Sequence, residues 1–199
     1  MDLEKFRFSP IIKVNIFTFL FIGRFIKDKG VLELIEACRK MKKRQVNFQV
    51  IFIAPLDKEN PTSLHHDISL KDLDKLGIEY IPYVSDVRAY IRKSHCVVLP
   101  SYGEGMPLSL LEGMAIGRPI ITTNVPGCKD LVNNNGLLVS VKSTEFLYEA
   151  MLAMTGKDLV SLQNMGLNGR KFVEKKYSIF YVLNKYQELI DNIKDKRKE

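Results

Sequence analysis

The sequence contains no apolar stretch near the roughly 20 residues that a membrane-spanning helix needs. Its longest apolar segment, Ile16–Ile22, has instead the length and composition of a buried strand. The first residues, MDLEKFRFSP, also lack the apolar run of a secretory signal. We therefore expect a cytoplasmic protein, with peripheral contact at the inner face of the cell membrane as a further option.

Cysteine and histidine are too few and too scattered to indicate a metal site. The three cysteines form no C-x-x-C pair and are predicted to be reduced and structural: Cys38, Cys96 and Cys128. The adjacent histidines His65 and His66 have no cysteine or acidic cluster to complete a coordination sphere. His95 precedes an apolar strand and is expected to be structural, while Cys128 lacks an assignable base for a catalytic thiol. The sequence thus predicts no metal ligand.

Motifs for nucleic-acid binding are absent, although the chain carries a net charge of +7. The basic excess is concentrated in two clusters, Arg39–Arg44 and Lys194–Lys198. Such charge can favour anionic ligands or membrane surfaces. A solvated helix end and a basic tail explain the same clusters, and we expect no nucleic-acid partner.

The chain has 199 residues, 46% of them hydrophobic, which is enough for one α/β domain with a substantial core. Short apolar runs alternate with segments of helical periodicity, which predicts strands joined by helical crossovers. The predicted strands are Phe17–Ile22, Phe48–Ile53, Ile78–Ile81, Cys96–Leu99, Ile120–Thr122 and Leu137–Val139. This alternation favours a Rossmann-like, doubly wound, mostly parallel six-stranded sheet with helices on both faces, followed by C-terminal helices.

The same pattern suggests how the chain is divided. The expected units are a linker-like segment at 1–15, a Rossmann-like domain at 16–177, and a final helix with a basic tail at 178–199. Within the domain, Ser85 is predicted to cap a helix over 86–94, and Ser143 a helix over 145–154. A short helix is also predicted over 127–132.

The segment richest in chemistry is Ser101–Glu112, SYGEGMPLSLLE. It follows the fourth strand, contains two glycines, and begins a helix near Pro107, whose fixed φ suits a first helical position. A glycine-bearing turn at a helix N-terminus offers backbone N–H groups to a phosphate. Glu104 in that turn can accept hydrogen bonds from sugar hydroxyls. Spacing alone equally allows an ordinary βα unit in which Glu104 and Glu112 are surface residues.

A second loop, GRFIKDKG at 23–30, follows the first strand and carries Arg24 and Lys29. In such sheets ligands bind beyond the carboxyl ends of the strands, near the switch in strand order. If strands one and four are neighbours, the two loops face each other, with cations on one wall and Glu104 on the other. A diphosphate flanked by hydroxyl groups, as in a nucleotide sugar, fits that arrangement. The alternative is a solvated basic loop.

Two segments, FLFIGRFIKDKG at 19–30 and PSYGEGMPLSLLE at 100–112, resemble motifs of retaining glycosyltransferases of the two-domain GT-B type, family 4. The first is similar to the donor-phosphate loop of that family, and the second to its E-x7-E motif. GMAIGRPIITTNVPG at 113–127 and NGLLV at 135–139 continue the resemblance, and DLEKF at 2–6 is similar to the interdomain linker. The resemblance covers nearly the whole chain and implies the donor-binding, C-terminal half of a GT-B fold.

The resemblance also implies residue roles. Arg24, Lys29 and Glu104 would be catalytic: the cations would contact the diphosphate and neutralise the departing nucleotide, and Glu104 would bind the transferred sugar. Glu112 would bind the ribose hydroxyls. Tyr83 and Val84 would lie beside the base. The other implied donor-binding residues are Gly23 and the turn residues Gly105, Met106, Pro107 and Leu108. Because that family is usually metal-independent, we expect no cofactor and no metal, with a nucleotide diphosphate sugar as substrate.

Two departures from the family pattern are visible. The first Rossmann-like domain, which supplies the acceptor site, has no counterpart here, so we expect half an active site and an inactive isolated chain. Ala54 and Pro55 stand where the family commonly has glycine, which weakens the case for a donor contact in that loop. We also expect an exposed apolar surface involving the final helix, where the missing domain would dock and where self-association could occur. Tyr181 and Tyr186 on that helix are expected to pack.

Three functions follow as alternatives. The first is transfer of a hexose or N-acetylhexosamine, with a UDP-sugar favoured as donor, to a surface polysaccharide or lipid-linked glycan through the missing domain. The second is a non-catalytic module that binds a nucleotide sugar or a partner chain carrying the acceptor domain. The third is a peripheral membrane adaptor that uses the Lys/Arg clusters.

Overall fold

A computed structural model describes residues 1–13, 15–65 and 68–195. Its strands are β1 Phe17–Ile22, β2 Phe48–Ile53, β3 Ile78–Ile81, β4 Cys96–Leu99, β5 Ile120–Thr123 and β6 Gly136–Val139. They form one sheet in the order β3-β2-β1-β4-β5-β6, and every neighbouring pair is parallel. The predicted six-stranded, doubly wound sheet is therefore confirmed, and the strand order changes direction between β1 and β4.

Helices cover both faces of this sheet. They are α1 Val31–Lys43, α2 Leu70–Lys75, α3 Arg88–Lys93, α4 Leu108–Ile116, α5 Thr144–Thr155, α6 Leu159–Lys176 and α7 Ile179–Asp195. Helix α1 packs against α5, whereas α4 packs against α3 and α6. Short 3-10 turns occupy Lys27–Lys29 and Lys129–Leu131, so the helix predicted over 127–132 is only a single tight turn.

The central strands are buried on both faces, which explains their continuous apolar sequences. Phe21 on β1 and Phe52 on β2 stack with ring centroids 4.3 Å apart. Helix α1 turns an apolar stripe towards this core, with Leu34 and Cys38 fully buried and basic residues in its last turn. Strand and helix periodicities thus converge on one hydrophobic core.

One of the two predicted serine caps is confirmed and the other is wrong. Ser143 accepts a hydrogen bond from the backbone N–H of Phe146 and begins α5. Helix α3 begins instead at Arg88, and the carboxylate of Asp86 accepts the Arg88 backbone N–H at 3.0 Å. The N-cap position is therefore Val87, which makes no side-chain cap, and Ser85 lies two residues too early to cap the helix.

The segment over residues 1–13, predicted to be linker-like, is fastened along the domain. The backbone carbonyls of Phe6, Ser9 and Ile11 accept hydrogen bonds from Arg170, Arg118 and Gln163 at 2.8, 2.6 and 2.9 Å. The side chains of Phe6 and Ile11 are buried in the core. The division of the chain into linker, domain and tail stays a prediction.

Helix α7 differs from the other helices because its side chains, as far as the structure describes them, are all exposed. It contacts α6 and, through the Ile179 backbone N–H, the carbonyl of Met1. The predicted exposed apolar surface is confirmed, whereas the expected packing of Tyr181 and Tyr186 is wrong, since they are 38% and 63% exposed. Self-association stays a prediction. In the described part of the chain, no helix combines the length and apolar character needed to cross a membrane.

Candidate functional site

The loops that follow β1 and β4 meet at the carboxyl edge of the sheet, because these strands are neighbours. The backbone N–H of Tyr102 donates to the carbonyl of Asp28 at 2.8 Å. Gly30, with a φ of 69°, lies so close to Pro100 that a Cβ there would collide with the Pro100 carbonyl. The predicted adjacency of the two loops is therefore confirmed, and Arg24 and Glu104 lie at the same edge.

Lys29 and Glu104 form the centre of this site. The Lys29 Nζ donates to Glu104 Oε1 at 2.5 Å, and Ser101 Oγ donates to the same oxygen at 2.7 Å. The two side chains are only 18% and 12% exposed, so their attraction is screened less than that of a surface pair. The cation and the carboxylate, which the sequence places on facing walls, are in direct contact.

Arg24 stands at the edge of the site and has a different partner. Its Nη1 donates to Asp57 Oδ2 at 2.8 Å, and its side chain is 53% exposed. Asp57 belongs to the long loop after β2, and sequence reasoning did not single it out. The signal available was its position: β2 neighbours β1, so an acidic residue just after β2 lies within reach of a cation just after β1.

The turn from Gly103 to Leu108 is open to solvent. A Cβ on Gly103 or Gly105 would meet nothing within 4 Å, and Met106 and Leu108 are exposed although Pro107 is buried. In the described part of the chain, no group accepts the backbone N–H of Gly105, Met106 or Leu108. Helix α4 starts at Leu108, so Pro107 is its N-cap residue and not the first helical residue that the sequence predicted. Its positive end therefore points its N–H groups towards solvent beside Lys29.

The loop after β5 packs against the turn from Gly103 to Leu108. Gly127 has a φ of 79°, and a Cβ there would collide with the backbone carbonyl of Glu104. Cys128, next in sequence, is buried, and burial raises the pKa of its thiol, as expected for a structural residue. Sequence reasoning included this loop in the resemblance but assigned it no role.

Glu112 lies on α4 and faces a separate cavity of about 240 Å³. This cavity is lined by Lys5, Phe6, Ser85, Asp86, Val87, Arg88 and Glu112. Burial, with a smaller contribution from Asp86, raises the pKa of Glu112, while Lys5 opposes that rise. Among the described residues, none donates a hydrogen bond to Glu112, so its oxygens are available to a ligand. Glu104 and Glu112 therefore occupy different surroundings.

The loop after β3 leads directly into the Glu112 cavity. Tyr83 is 72% exposed and Val84 is partly buried, and both precede Ser85 at the cavity wall. Gly23 immediately follows β1, and its N–H donates to the carbonyl of Ile53. Gly23, Tyr83 and Val84 thus lie in loops that follow the carboxyl ends of β1 and β3.

Tyr102 and Glu33 form a contact beside the site that sequence reasoning missed. The Tyr102 hydroxyl donates to Glu33 Oε1 at 2.7 Å, linking the turn after β4 to the first turn of α1. Burial, followed by the hydrogen bond to Glu33, raises the pKa of Tyr102, so the hydroxyl keeps its proton. No local sequence signal relates two residues 69 positions apart.

The remaining candidate residues lie away from this edge or are buried. His95 Nδ1 accepts the backbone N–H of Thr18 at the amino end of β1, and burial lowers the pKa of His95, which fits a structural residue. Cys38 and Cys96 are buried free thiols. His65 pairs with the Ser63 hydroxyl, whereas His66 lies outside the described residues. Across the described ranges, no group of three or more His, Cys, Asp or Glu side chains is arranged to hold a metal.

Comparison with known proteins adds independent evidence. A family model described as Glycosyl transferases group 1 matches residues 16–156. The chain is 30% identical over 160 residues to the capsular polysaccharide biosynthesis glycosyltransferase CapM of Staphylococcus aureus, covering 79% of this chain and 41% of CapM. It is 26% identical over 211 residues to the UDP-Gal:alpha-D-GlcNAc-diphosphoundecaprenol alpha-1,3-galactosyltransferase of Escherichia coli, covering 98% and 54%.

Solved structures agree on the fold. HepE from Anabaena, solved in complex with UDP and glucose, matches with a TM-score of 0.79 at 17% identity, over 96% of this chain and 55% of HepE. The chain therefore spans about half the length of the curated relatives and of the solved protein that it matches.

Proposed function

Because the chain belongs to the glycosyl transferases group 1 family, we propose that it is the donor-binding half of a retaining glycosyltransferase of family 4. Its substrate is a nucleotide diphosphate sugar, and the transferred group is a hexose or an N-acetylhexosamine. The observation that carries this proposal is the meeting of Lys29 and Glu104 beside the open N-terminus of α4. That arrangement offers a cation, a carboxylate and unpaired N–H groups within one crevice.

The diphosphate is held by positive charge. Lys29 and Arg24 supply two cations, and the exposed N–H groups at the start of α4 supply hydrogen-bond donors for phosphate oxygens. As the bond to the sugar breaks, negative charge grows on the departing nucleoside diphosphate. Fixed donors and cations that already point at that charge stabilise it without reorganising. These groups perform the charge neutralisation, so the reaction is proposed to need no metal.

The transferred sugar lies against Glu104. This carboxylate already accepts hydrogen bonds from Lys29 and Ser101, so its orientation is fixed before ligand arrives. Oxygens not used by those donors accept sugar hydroxyls. The nucleoside extends along the edge towards Tyr83 and Val84, and the ribose hydroxyls bind Glu112, which has no donor of its own in the described part of the chain.

A UDP-sugar is the favoured donor. The E. coli relative is named for UDP-Gal, and HepE was solved with UDP and glucose. The relatives' names also favour acceptors on surface polysaccharides or lipid-linked glycans, since CapM is a capsular polysaccharide glycosyltransferase and the E. coli enzyme is named for a diphosphoundecaprenol substrate. Such an acceptor would bring a cytoplasmic enzyme to the inner membrane surface.

A second function is a nucleotide-sugar-binding module that relies on a separate acceptor domain. The observation that favours it is the exposed apolar surface of α7, which a partner chain could cover. Steady hydrolysis or transfer by the isolated chain would exclude this alternative. Turnover only after an acceptor-domain chain is added would support it.

Calorimetry with UDP, GDP and ADP sugars tests the proposed function. We expect one nucleotide series to bind, and Lys29→Met and Glu112→Ala to weaken binding at least about tenfold, the effect of losing a charge-assisted contact. Lys27→Met is the matched control, because Lys27 is an exposed cation in the same 3-10 turn. Absence of binding to all nucleotides at millimolar concentration, with Glu112→Ala behaving like the wild type, would contradict the proposal.

A further inference from the structure

Tyr102 holds the open turn to the body of the domain at three points. Its backbone N–H donates to the Asp28 carbonyl, and its hydroxyl donates to Glu33 on α1 at 2.7 Å. The Nζ of Lys142, from the loop after β6, lies 5.0 Å from the centre of its ring. Lys142 adopts a left-handed backbone conformation with a φ of 56°, which is uncommon for a residue with a Cβ.

Few side-chain contacts hold the residues that follow Tyr102 in place. Gly103 and Gly105 lack side chains and have open space around them, and Met106 is exposed. Glu104 lies between these two glycines, which permit many backbone conformations. Ser101 holds its carboxylate and Gly127 packs against its backbone, and Tyr102, two residues earlier, sets where the turn starts.

Glu33 is suited to hold the Tyr102 hydroxyl. Its Oε1 accepts the hydroxyl, while its Oε2 is buried and has no hydrogen-bond partner among the described residues. A buried carboxylate oxygen without a donor is costly, so the single bond from Tyr102 matters more than an ordinary surface contact. Burial also keeps the tyrosine protonated, and the hydroxyl thus remains a donor.

We infer that Tyr102 and Glu33 are positioning residues for Glu104. Their hydrogen bond holds the turn after β4 in the position in which Glu104 contacts Lys29 and the donor sugar. Neither residue needs to touch the ligand. This inference rests on the proposed function, because it assigns the pair a role in sugar recognition by that same site.

The experiment measures how much the sugar adds to nucleotide affinity. Calorimetry gives the dissociation constants of the nucleoside diphosphate and of the nucleotide sugar, using whichever of UDP, GDP and ADP binds the wild-type chain. We expect Tyr102→Phe and Glu33→Ala to weaken nucleotide-sugar binding about tenfold and nucleoside diphosphate binding less than about threefold. Glu33→Gln keeps an oxygen acceptor and is expected to behave like the wild type.

Two controls separate positioning from a general loss of structure. Tyr148→Phe removes another partly buried hydroxyl, which Arg44 contacts at 2.7 Å far from the site in α5, and should change neither constant. In a Glu104→Gln background, Tyr102→Phe should add no further loss, because the group it positions has been removed. Thermal melts of every variant show whether it is folded, and Glu33→Ala provides the test if Tyr102→Phe does not fold.

The possible outcomes distinguish failure of the positioning role from failure of the proposed donor-binding function. If the wild-type chain binds neither a nucleoside diphosphate nor a nucleotide sugar, the proposed function is overturned together with the inference. If wild-type chain discriminates and Tyr102→Phe discriminates equally well, only the positioning role is overturned. If the losses in nucleotide-sugar affinity from Tyr102→Phe and Glu104→Gln add fully in the double variant, the positioning role is likewise overturned.

Discussion

Lys29 and Arg118 show two ways in which this domain holds a positive charge away from water. Lys29 faces one carboxylate, Glu104, at the carboxyl edge of the sheet. Arg118 is fully buried and has no carboxylate partner among the residues that the structure describes. Its guanidinium donates instead to backbone carbonyls of Ser9, Ile91, Arg92, Ile116 and Gly117. Burial lowers its pKa to about 10.

The different partners of Lys29 and Arg118 indicate that Lys29 serves ligand binding and Arg118 serves the stability of the fold. A carboxylate at a crevice can share or exchange its cation with a diphosphate, because both partners remain reachable by a ligand. The carbonyls around Arg118 come from the N-terminal segment and from the ends of α3 and α4, so this side chain joins three parts of the fold. We therefore expect substitutions of Arg118 to unfold the domain and substitutions of Lys29 to remove ligand binding.

Arg118→Met should have the largest effect on stability. It leaves buried carbonyls without their donor, and we expect a loss of about 3–5 kcal/mol in the free energy of unfolding. Chemical denaturation measures this loss. Arg92→Met, at an exposed side chain nearby, should change stability by less than about 0.5 kcal/mol. Equal, small effects of the two variants would show that the carbonyl cluster does not support the fold.

Gly127→Ala should have the next largest effect. The substitution adds a Cβ at a left-handed φ of 79° and against the carbonyl of Glu104, so we expect a loss of about 2–3 kcal/mol. Gly103→Ala, where a Cβ meets open space, should cost far less. Denaturation curves that coincide for the two variants would argue against contact between the β5 loop and the turn.

Lys29→Met should cost less stability but far more binding. Glu104 is left partly buried without its cation, for which we expect a loss of about 1–2 kcal/mol. Nucleotide-sugar affinity should fall at least about tenfold in calorimetry. Lys27→Met should alter neither property. A Lys29 variant that loses stability but keeps full affinity would show that Lys29, like Arg118, serves stability and not ligand binding.

Glu112→Gln should slightly stabilise the domain while weakening ligand binding. Burial raises the pKa of Glu112 above its ordinary value of 4.5, so the folded state retains this proton more readily than the unfolded chain does. This stabilisation is complete below pH 4.5 and is lost as the pH rises through the folded-state pKa. At pH 7 the amide should therefore add on the order of 0.5 kcal/mol.

The pH dependence provides the control for that prediction. The stability difference between Glu112→Gln and the wild type should vanish as the pH falls below 4.5, where both side chains are neutral. Glu79→Gln, at an exposed position on β3, should show no such trend. A wild type that gains stability relative to Glu112→Gln as the pH rises would contradict the raised pKa.

Much of the fold could be predicted because it depends on local patterns. The strand sequences FTFLFI and CVVL are apolar along their whole length, as double-sided burial requires, and their adjacency follows from the doubly wound order. That adjacency was enough to bring Lys29 towards Glu104. The resemblance to GT-B glycosyltransferases is confirmed by the family match and by the matching fold.

Contacts between distant residues could not be predicted in the same way. Arg118 carries no local sign of burial, because its partners are carbonyls that any residue supplies. Arg24 turned out to contact Asp57, and Tyr102 to contact Glu33, through side chains whose directions depend on tertiary packing. The start of α3 was missed because Ser85 is of a type that favours the N-cap, whereas the N-cap position is held by Val87 without a side-chain cap. The basic cluster at Lys194–Lys198 lies mostly outside the described residues.

The central claim is that the crevice between Lys29 and the start of α4 binds a nucleoside diphosphate. Titration of the isotope-labelled chain with UDP, GDP and ADP, followed by amide NMR shifts, locates binding directly. The account predicts saturable shifts concentrated at residues 23–30 and 103–109. Shifts centred on the amino edge of the sheet around His95, or no saturable shift with any of the three nucleotides, would contradict it.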